Sequence, residues 1–572
     1  MTGALARRAR LGHLSEWLPV AALAPFLVLF LLTTLPRFAA PFELEWNEGQ
    51  SAEQAYRFAA RLPLYPGPEG GWVPYMYAPL YHIVFGTAMK VTGLYTLAIG
   101  RLISLLATVA TLQALFLIVF ERTRRVAASL VAPLLYLAWF KATGYWYDLA
   151  RVDSLALAFA VWGMALTLKR EPRLWQALLG AVLLLCGALT KQPLAVVAVF
   201  CVAALTVRRP RMGVAAAACL LFLSVNFVFV FTESGNSQFF HYTVTNALAH
   251  QSRTDQYFPG ALSADDFMRR VPEPESILSI IGAYIHAFRR EPAPGLWAEC
   301  GRWCWLIALF VTGGFFFGSF RRRRLRGMIF LPPLIILAWM SFSAYAKFGG
   351  FVNNFQPLYM GLALCAAMTV GSLRLWSRGW FRVGANIAVT LLITAQVYQP
   401  WNLPSANPQY GQSAVPVGFL TRLNDAGLTY YPSSQRPPRE SYEAYRALNE
   451  WLVSRTLANQ RVWIIHHQWY AVAAGHRLPM NPDMVRVAEW AQDSVPHQML
   501  ASFQSGEFGW LVFDQEQLEY EWLPSGVADV IRLSYEPAGL VPGMAQFRGT
   551  PAMQPLTGAQ MRPLYLWRLK AP

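Results

Sequence analysis

The feature that most constrains this chain is an alternation of long apolar runs and short loops, with Lys and Arg gathered in every second loop. The runs cover Trp17 to Pro36 and then 95–120, 127–143, 153–168, 174–190, 193–207, 211–231, 297–319, 327–345, 355–373 and 380–400. A bilayer span needs roughly 20 predominantly apolar residues, so these runs predict about eleven spans. The basic clusters are Arg7, Arg8 and Arg10; Arg122, Arg124 and Arg125; Lys169, Arg170 and Arg173; Arg208, Arg209 and Arg211; Arg321 to Arg324 with Arg326; and Arg374, Arg378 and Arg382. Positive charge is retained on the cytoplasmic side of short loops. The pattern therefore predicts a cytoplasmic N-terminus and places 37–94, 144–152, 190–192, 232–296, 346–354 and 401–572 outside.

Composition leads to the same class. Of 572 residues, 55% are hydrophobic and only 14% charged, more apolar surface than a soluble core of this length holds. The formal charge of +16 lies in loop clusters rather than on one amphipathic face, so it reads as membrane topology and not as a nucleic-acid surface. Cys186, Cys201, Cys219, Cys300, Cys304 and Cys365 lie in or beside apolar segments, with no disulfide or zinc spacing. The first run is longer than a signal-peptide core, so it reads as an uncleaved span rather than as a leader ending at Ala39–Ala40.

Pro41 to His82 is the first long polar interruption, and it carries Glu43, Glu45 and Glu48. Glu45 and Glu48, three apart at the expected start of a helix, are placed to share a face and the helix dipole. Ala52 to Arg61 reads as an amphipathic helix at the outer interface, with Ala55, Phe58 and Ala59 on one face and Glu53, Arg57 and Arg61 on the other. Ala78 to Gly93 is apolar but short and is expected to lie along the same interface. No acid falls near the middle of a predicted span. Asp148, Asp153, Glu233 and Glu299 sit at outer ends, with Arg101 and Lys141 near that side. Intramembrane acids mark ion-coupled transporters, so the chemistry is expected at one membrane face. There a carboxylate can serve as general base toward an acceptor hydroxyl, while cations stabilise a departing phosphate. Asp153, followed by Ser154 and an apolar run, also suits a plain helix N-cap.

Five motifs then occur in order: the acidic first loop, YAPLYH (77–82), GRLIS (100–104), ARVDS (150–154) and LTKQ (189–192). Together they resemble the GT-C superfamily of membrane glycosyltransferases, in particular the protein O-mannosyltransferase and aminoarabinose-transferase (PMT-like, family 39) group, over roughly residues 15–400. The resemblance implies an inverting transferase that moves a sugar from a polyprenyl-phosphate donor to an acceptor hydroxyl of a glycan, lipid or protein on the outer face of the cell membrane. It also leaves room for a divalent cation beside the acids. The family's first-loop pair is Asp-Glu; here it is Asn47–Glu48. An amide cannot take a proton, so the base role passes to Glu45 or Glu48, while Asp153 matches the second acid.

The donor phosphate is assigned to Lys191 and Arg101, which match family positions, with Arg151 beside the second acid. Lys347 joins them from AKFGGFVNNFQPLYM, where Asn353 and Asn354 can hydrogen-bond sugar or phosphate. Tyr77, Tyr81 and His82 complete the expected binding set. The loop 232–296 reads equally as a mobile cover and as a structural cap.

The expected fold is a polytopic α-helical transmembrane domain over residues 1–401, followed by a small extracytoplasmic α/β domain over 402–572. In the second part RVWII, WLVF and YLWRL read as strands, and ESYEAYRALNEWLVSR and QWYAVAAGH as helices. His466 and His467 follow a strand end, where such folds bind ligands, although packing or surface histidines fit as well. No nucleotide-binding glycine motif appears, which disfavours a cytosolic nucleotide-sugar donor. Two other classes fit the outline: a flippase or transporter of lipid-linked saccharides, and a non-catalytic envelope assembly protein.

Overall fold

In the computed structural model, described here for residues 13–45, 47–67, 72–140, 142–249, 331–345, 352–373, 380–402, 439–465, 467–476, 495–513, 526–543 and 565–571 and for positions 485, 518, 523 and 524, the apolar runs fold as helices. Leu97–Thr123 shows why. It is rich in Leu, Ala and Ile, follows an extended Thr96, and ends where Arg124 turns left-handed at φ 54°. The helices of the first part are α1 (Leu18–Phe38), α2 (Asn47–Ala59), α3 (Leu80–Thr92), α4 (Leu97–Thr123), α5 (Val126–Ala138), α6 (Val152–Thr167), α7 (Leu174–Thr190), α8 (Leu194–Arg208) and α9 (Pro210–Glu233). A π-helical turn His241–Thr245, α10 (Asn246–Ala249), α11 (Leu331–Tyr345), a 3-10 turn Val352–Phe355, α12 (Gln356–Leu373) and α13 (Trp380–Asn402) follow.

Among the described residues, three helices are long and apolar enough by themselves to cross a membrane: His13–Phe38, α4 and α9. Shorter apolar helices, including α5, α6, α7 and α8, pack beside them. The run 297–319, with Cys300, Cys304 and Glu299, lies outside the described residues. So do Lys141, Lys347, His466 and most of the loop expected over 232–296.

The second part contains α14 (Arg439–Leu457), β1 (Val462–Ile464), α15 (Gln468–Ala473), α16 (Val495–Gln504), β2 (Trp510–Phe513), α17 (Val527–Ser534), β3 (Tyr535–Leu540) and β4 (Tyr565–Leu569). The sheet order is β1-β2-β4-β3. β1 and β2 are parallel, with Trp463 opposite Leu511, and the remaining pairs are antiparallel, with Leu511 opposite Trp567. The three strand-like stretches of the sequence coincide with β1, β2 and β4. β3 was not legible, because Pro537 and Gly539 interrupt its pattern at a bulge.

The sheet layer does not stand apart from the bundle. One core joins Phe42, Leu44, Ala52 and Ala55 of the first loop to Ala444, Leu448, Trp451, Ile464 and Trp469. This corrects the expected interfacial helix at 52–61: α2 ends at Ala59 with Glu53 and Arg57 buried as well as Ala55, and of the expected polar face only Arg61, past the helix end, is exposed. The helix packs against α3 and α15, while Arg57 donates to the Pro63 carbonyl and stands over the Trp72 ring. Gly100 sets the depth of this arrangement. A Cβ there would lie 2.7 Å from both Ala150 Cβ and Phe85 Cε1, so only glycine lets α4 approach the 144–151 turn closely enough for the next residue, Arg101, to reach the first loop.

Candidate functional site

The first loop is fastened from below by two buried arginines. Arg37, at the end of α1, donates to Asp148 Oδ1 at 2.8 Å and to the Tyr145 carbonyl at 2.6 Å. Arg101 donates from Nε and Nη2 to the two carboxylate oxygens of Glu48, at 2.9 and 2.7 Å. Its remaining N–H groups reach the carbonyls of Arg37, Ala40 and Phe42. Glu48 also accepts the N–H groups of Leu44 and Ala150, at 2.7 and 2.8 Å. Burial alone would raise the Glu48 pKa. The Arg101 charge and these hydrogen bonds outweigh it and hold the carboxyl below its ordinary value.

Glu45 follows a different path. α2 begins at Asn47, so Glu45 precedes the helix instead of sharing its face with Glu48, and its carbonyl accepts the Glu48 N–H. Its carboxylate is fully buried and lies 3.3 Å from Arg151 Nη1. Burial pushes its pKa up to about 8, against the opposing pull of Arg151 and the Asn47 N–H. Arg151 in turn lies over the rings of Tyr75, Tyr77 and Trp146, at 5.3, 5.9 and 5.3 Å. A guanidinium held among aromatic faces does not give Glu45 the full bidentate partner that Glu48 has.

Asp153 stands beside this pair in the first turn of α6. The N-cap position is held by Arg151 and the helix begins at Val152, so Asp153 is not the N-cap. Its carboxylate instead accepts Lys191 Nζ at 2.6 Å, Trp146 Nε1 at 3.1 Å and Asn353 Nδ2 at 3.4 Å. Lys191 also donates to Asn354 Oδ1 at 3.3 Å and stands 5.7 Å over the Tyr77 ring. Asp153, Lys191 and Asn354 form the polar end of a cleft whose apolar walls include Leu157, Leu194 and Met340.

Of the residues expected from sequence, the structure thus brings Glu45, Arg151, Asp153, Lys191, Asn353, Asn354 and Tyr77 together. Four others go elsewhere. Arg101 was expected at a donor phosphate, but its donors are committed to Glu48 and loop carbonyls. Glu48 is fixed by the same contacts. Tyr81 is buried with its hydroxyl 3.3 Å from the Gly100 carbonyl. His82 packs behind α2, Nδ1 at 3.3 Å from the Ser51 carbonyl, and burial lowers its pKa to about 3. Lys347 is outside the described residues. The described residues offer the divalent cation no fitting ligand set. Each acid already faces a guanidinium or ammonium, and among the described residues no three metal-binding side chains converge.

Sequence reasoning missed the fastening from above. Glu43 Oε2 meets His467 Nδ1 at 2.5 Å, and the Glu43 N–H donates to Tyr470 Oη at 2.9 Å. His467 is 1% exposed, a buried contact residue rather than a surface one. Gly49 makes room, since a Cβ there would overlap the Glu43 carboxylate and lie 2.9 Å from Trp469 Cβ. Trp146 and Tyr75 were also missed as site residues, although for Trp146 its place just before the Arg-x-Asp turn was a usable signal.

The described residues thus form an apolar helical bundle whose first loop returns an acidic helix to one end, beneath a sheet layer formed by the last part of the chain, and three of its helices are long and apolar enough to cross a membrane. The chain is similar in fold to ArnT from Cupriavidus metallidurans in the apo state, with a TM-score of 0.50 and 11% identity over 96% of this chain and 97% of that one. It also matches AglB, the oligosaccharyltransferase of Archaeoglobus fulgidus solved with an inhibitory peptide and a dolichol-phosphate, at TM-score 0.45 and 14% identity over 91% and 72% of the two chains. A further match is the arabinofuranosyltransferase AftD from Mycobacteria, at TM-score 0.43 and 14% identity over 97% and 41%. No protein-family model matches the sequence, and no curated protein matches it.

Proposed function

We propose that this protein is an inverting glycosyltransferase of the outer membrane face that takes a sugar from a polyprenyl-phosphate donor, with Glu45 as its general base. The observation that carries the reading is the contrast between the glutamates. Glu48 is saturated by Arg101 and two backbone N–H groups, whereas Glu45 is buried beside Arg151 with its pKa raised to about 8. A base works best when its pKa lies near the operating pH.

The acceptor hydroxyl gives its proton to the Glu45 carboxylate as its oxygen attacks the anomeric carbon. The bond from that carbon to the phosphate oxygen breaks on the opposite side, inverting the centre. Its electron pair leaves on the phosphate, which departs as the polyprenyl monophosphate. Lys191 and Arg151 face the developing phosphate charge. Asp153, held by Trp146 and Asn353, aims Lys191, and the apolar cleft walls receive the lipid.

The pH profile tests this assignment. Glu45 must lose its proton to act, so kcat/KM for transfer rises about tenfold per pH unit below 8 and levels off above it. A profile flat from pH 6 to 9 removes Glu45 as the base.

A further inference from the structure

Gln356, the first residue of α12, is 1% exposed, and neither Nε2 nor Oε1 has a hydrogen-bond partner among the described residues. Its neighbours behave differently: Asn353 donates to Asp153, and Asn354 accepts from Lys191. A buried amide with both ends unpaired destabilises the empty protein. Gln356 lines the same cleft as Asp153, Lys191 and Asn354, which is open to the outside.

The amide's own chemistry restricts what can complete it. Nε2 needs an acceptor and Oε1 needs a donor. A phosphate oxygen only accepts and an ammonium only donates, so each satisfies one end. Adjacent hydroxyls on a sugar ring satisfy both at once. The phosphate already has a cation in Lys191, within the same cleft.

We infer that Gln356 holds hydroxyl groups of the donor's sugar and thereby sets which sugar is accepted. This rests on the lipid-phosphate donor reading above and adds to it the residue that reads the carbohydrate. The distinction matters for specificity. A site built to hydrogen-bond a hydroxyl rejects the analogue lacking it, because the buried polar group is then left unpaired.

The test uses full-length protein in nanodiscs, with bare polyprenyl phosphate and polyprenyl-phosphate mannose, glucose, galactose and arabinose as probes. Gln356→Met replaces the amide with an apolar side chain of similar length. The variant should bind bare polyprenyl phosphate as the wild type does, lose roughly 10- to 100-fold in affinity for the preferred sugar donor, and melt at a higher temperature when empty. Deoxygenating the contacted ring position should weaken wild-type binding but leave the variant unchanged, a coupling that a packing role does not produce. Equal affinity of both proteins for every sugar donor overturns the inference and leaves the transferase reading standing. An equal loss for bare and sugar-bearing lipid also overturns it, since it assigns Gln356 to the phosphate or to packing. A wild type that binds neither kind of probe overturns the donor reading and the inference together.

Discussion

Replacing Glu48 with Gln should unfold the site rather than slow its chemistry. The wild-type carboxylate accepts four hydrogen bonds: from Arg101 Nε and Nη2 and from the Leu44 and Ala150 N–H groups. A glutamine keeps one accepting oxygen and turns an NH₂ toward donors, so about half the acceptor capacity is lost and a buried guanidinium loses its counter-charge. Removing one partner of a buried pair costs about 3–5 kcal/mol, a large share of a typical total stability of about 5–15 kcal/mol. The assay is the monodisperse fraction of purified protein after heating, read by size-exclusion chromatography beside wild type and Glu45→Gln. Glu48→Gln should aggregate at a clearly lower temperature than both. The pH dependence has a matching sign. The Glu48 pKa is depressed in the fold, so its contribution is present above the ordinary carboxylate value of 4.5 and is lost as pH falls through the depressed value. A Glu48→Gln protein that melts like wild type yet fails to transfer sugar refutes the reasoning and makes Glu48 a catalytic group.

On the proposed assignment, replacing Lys191 with Met removes a charge-assisted hydrogen bond to the donor phosphate, worth roughly 1.5–3 kcal/mol. KM for the donor should rise about 10- to 100-fold while KM for the acceptor changes little, as initial-rate kinetics will show; an effect on the acceptor alone contradicts the placement of Lys191. Replacing His467 with Ala should loosen the first loop from the sheet layer. Hydrogen exchange should then speed up at the amides of residues 42–45 and kcat should fall, and unchanged exchange there would deny the contact a positioning role.

Much of the bundle was legible in the sequence because hydropathy is a local property, and the helices fall where the apolar runs do. The order of the motifs also singled out Asp153, Lys191 and Arg151, which lie together in the structure because each sits at the end of a helix that packing draws to one end of the bundle. What each charged group faces was not legible. Glu43, Glu45 and Glu48 lie within one short loop, yet the first meets a histidine 424 positions away and the last an arginine 53 positions away. Only the folded chain reveals which of the three carboxylates lacks a saturating partner. Local pattern also misjudged α2. Its alternating faces look interfacial until Pro63 and Trp72 cover Arg57 and α15 packs beside Gly49, contacts between separate segments that no helical periodicity encodes.

The most direct measurement is sugar transfer from a labelled polyprenyl-phosphate donor by wild type and Glu45→Gln, compared at equal amounts of folded protein and with donor binding measured in parallel. With Glu45 as general base, the variant should bind donor normally and lose transfer by roughly 10²- to 10⁴-fold. Transfer at the wild-type rate by a folded Glu45→Gln protein contradicts the account.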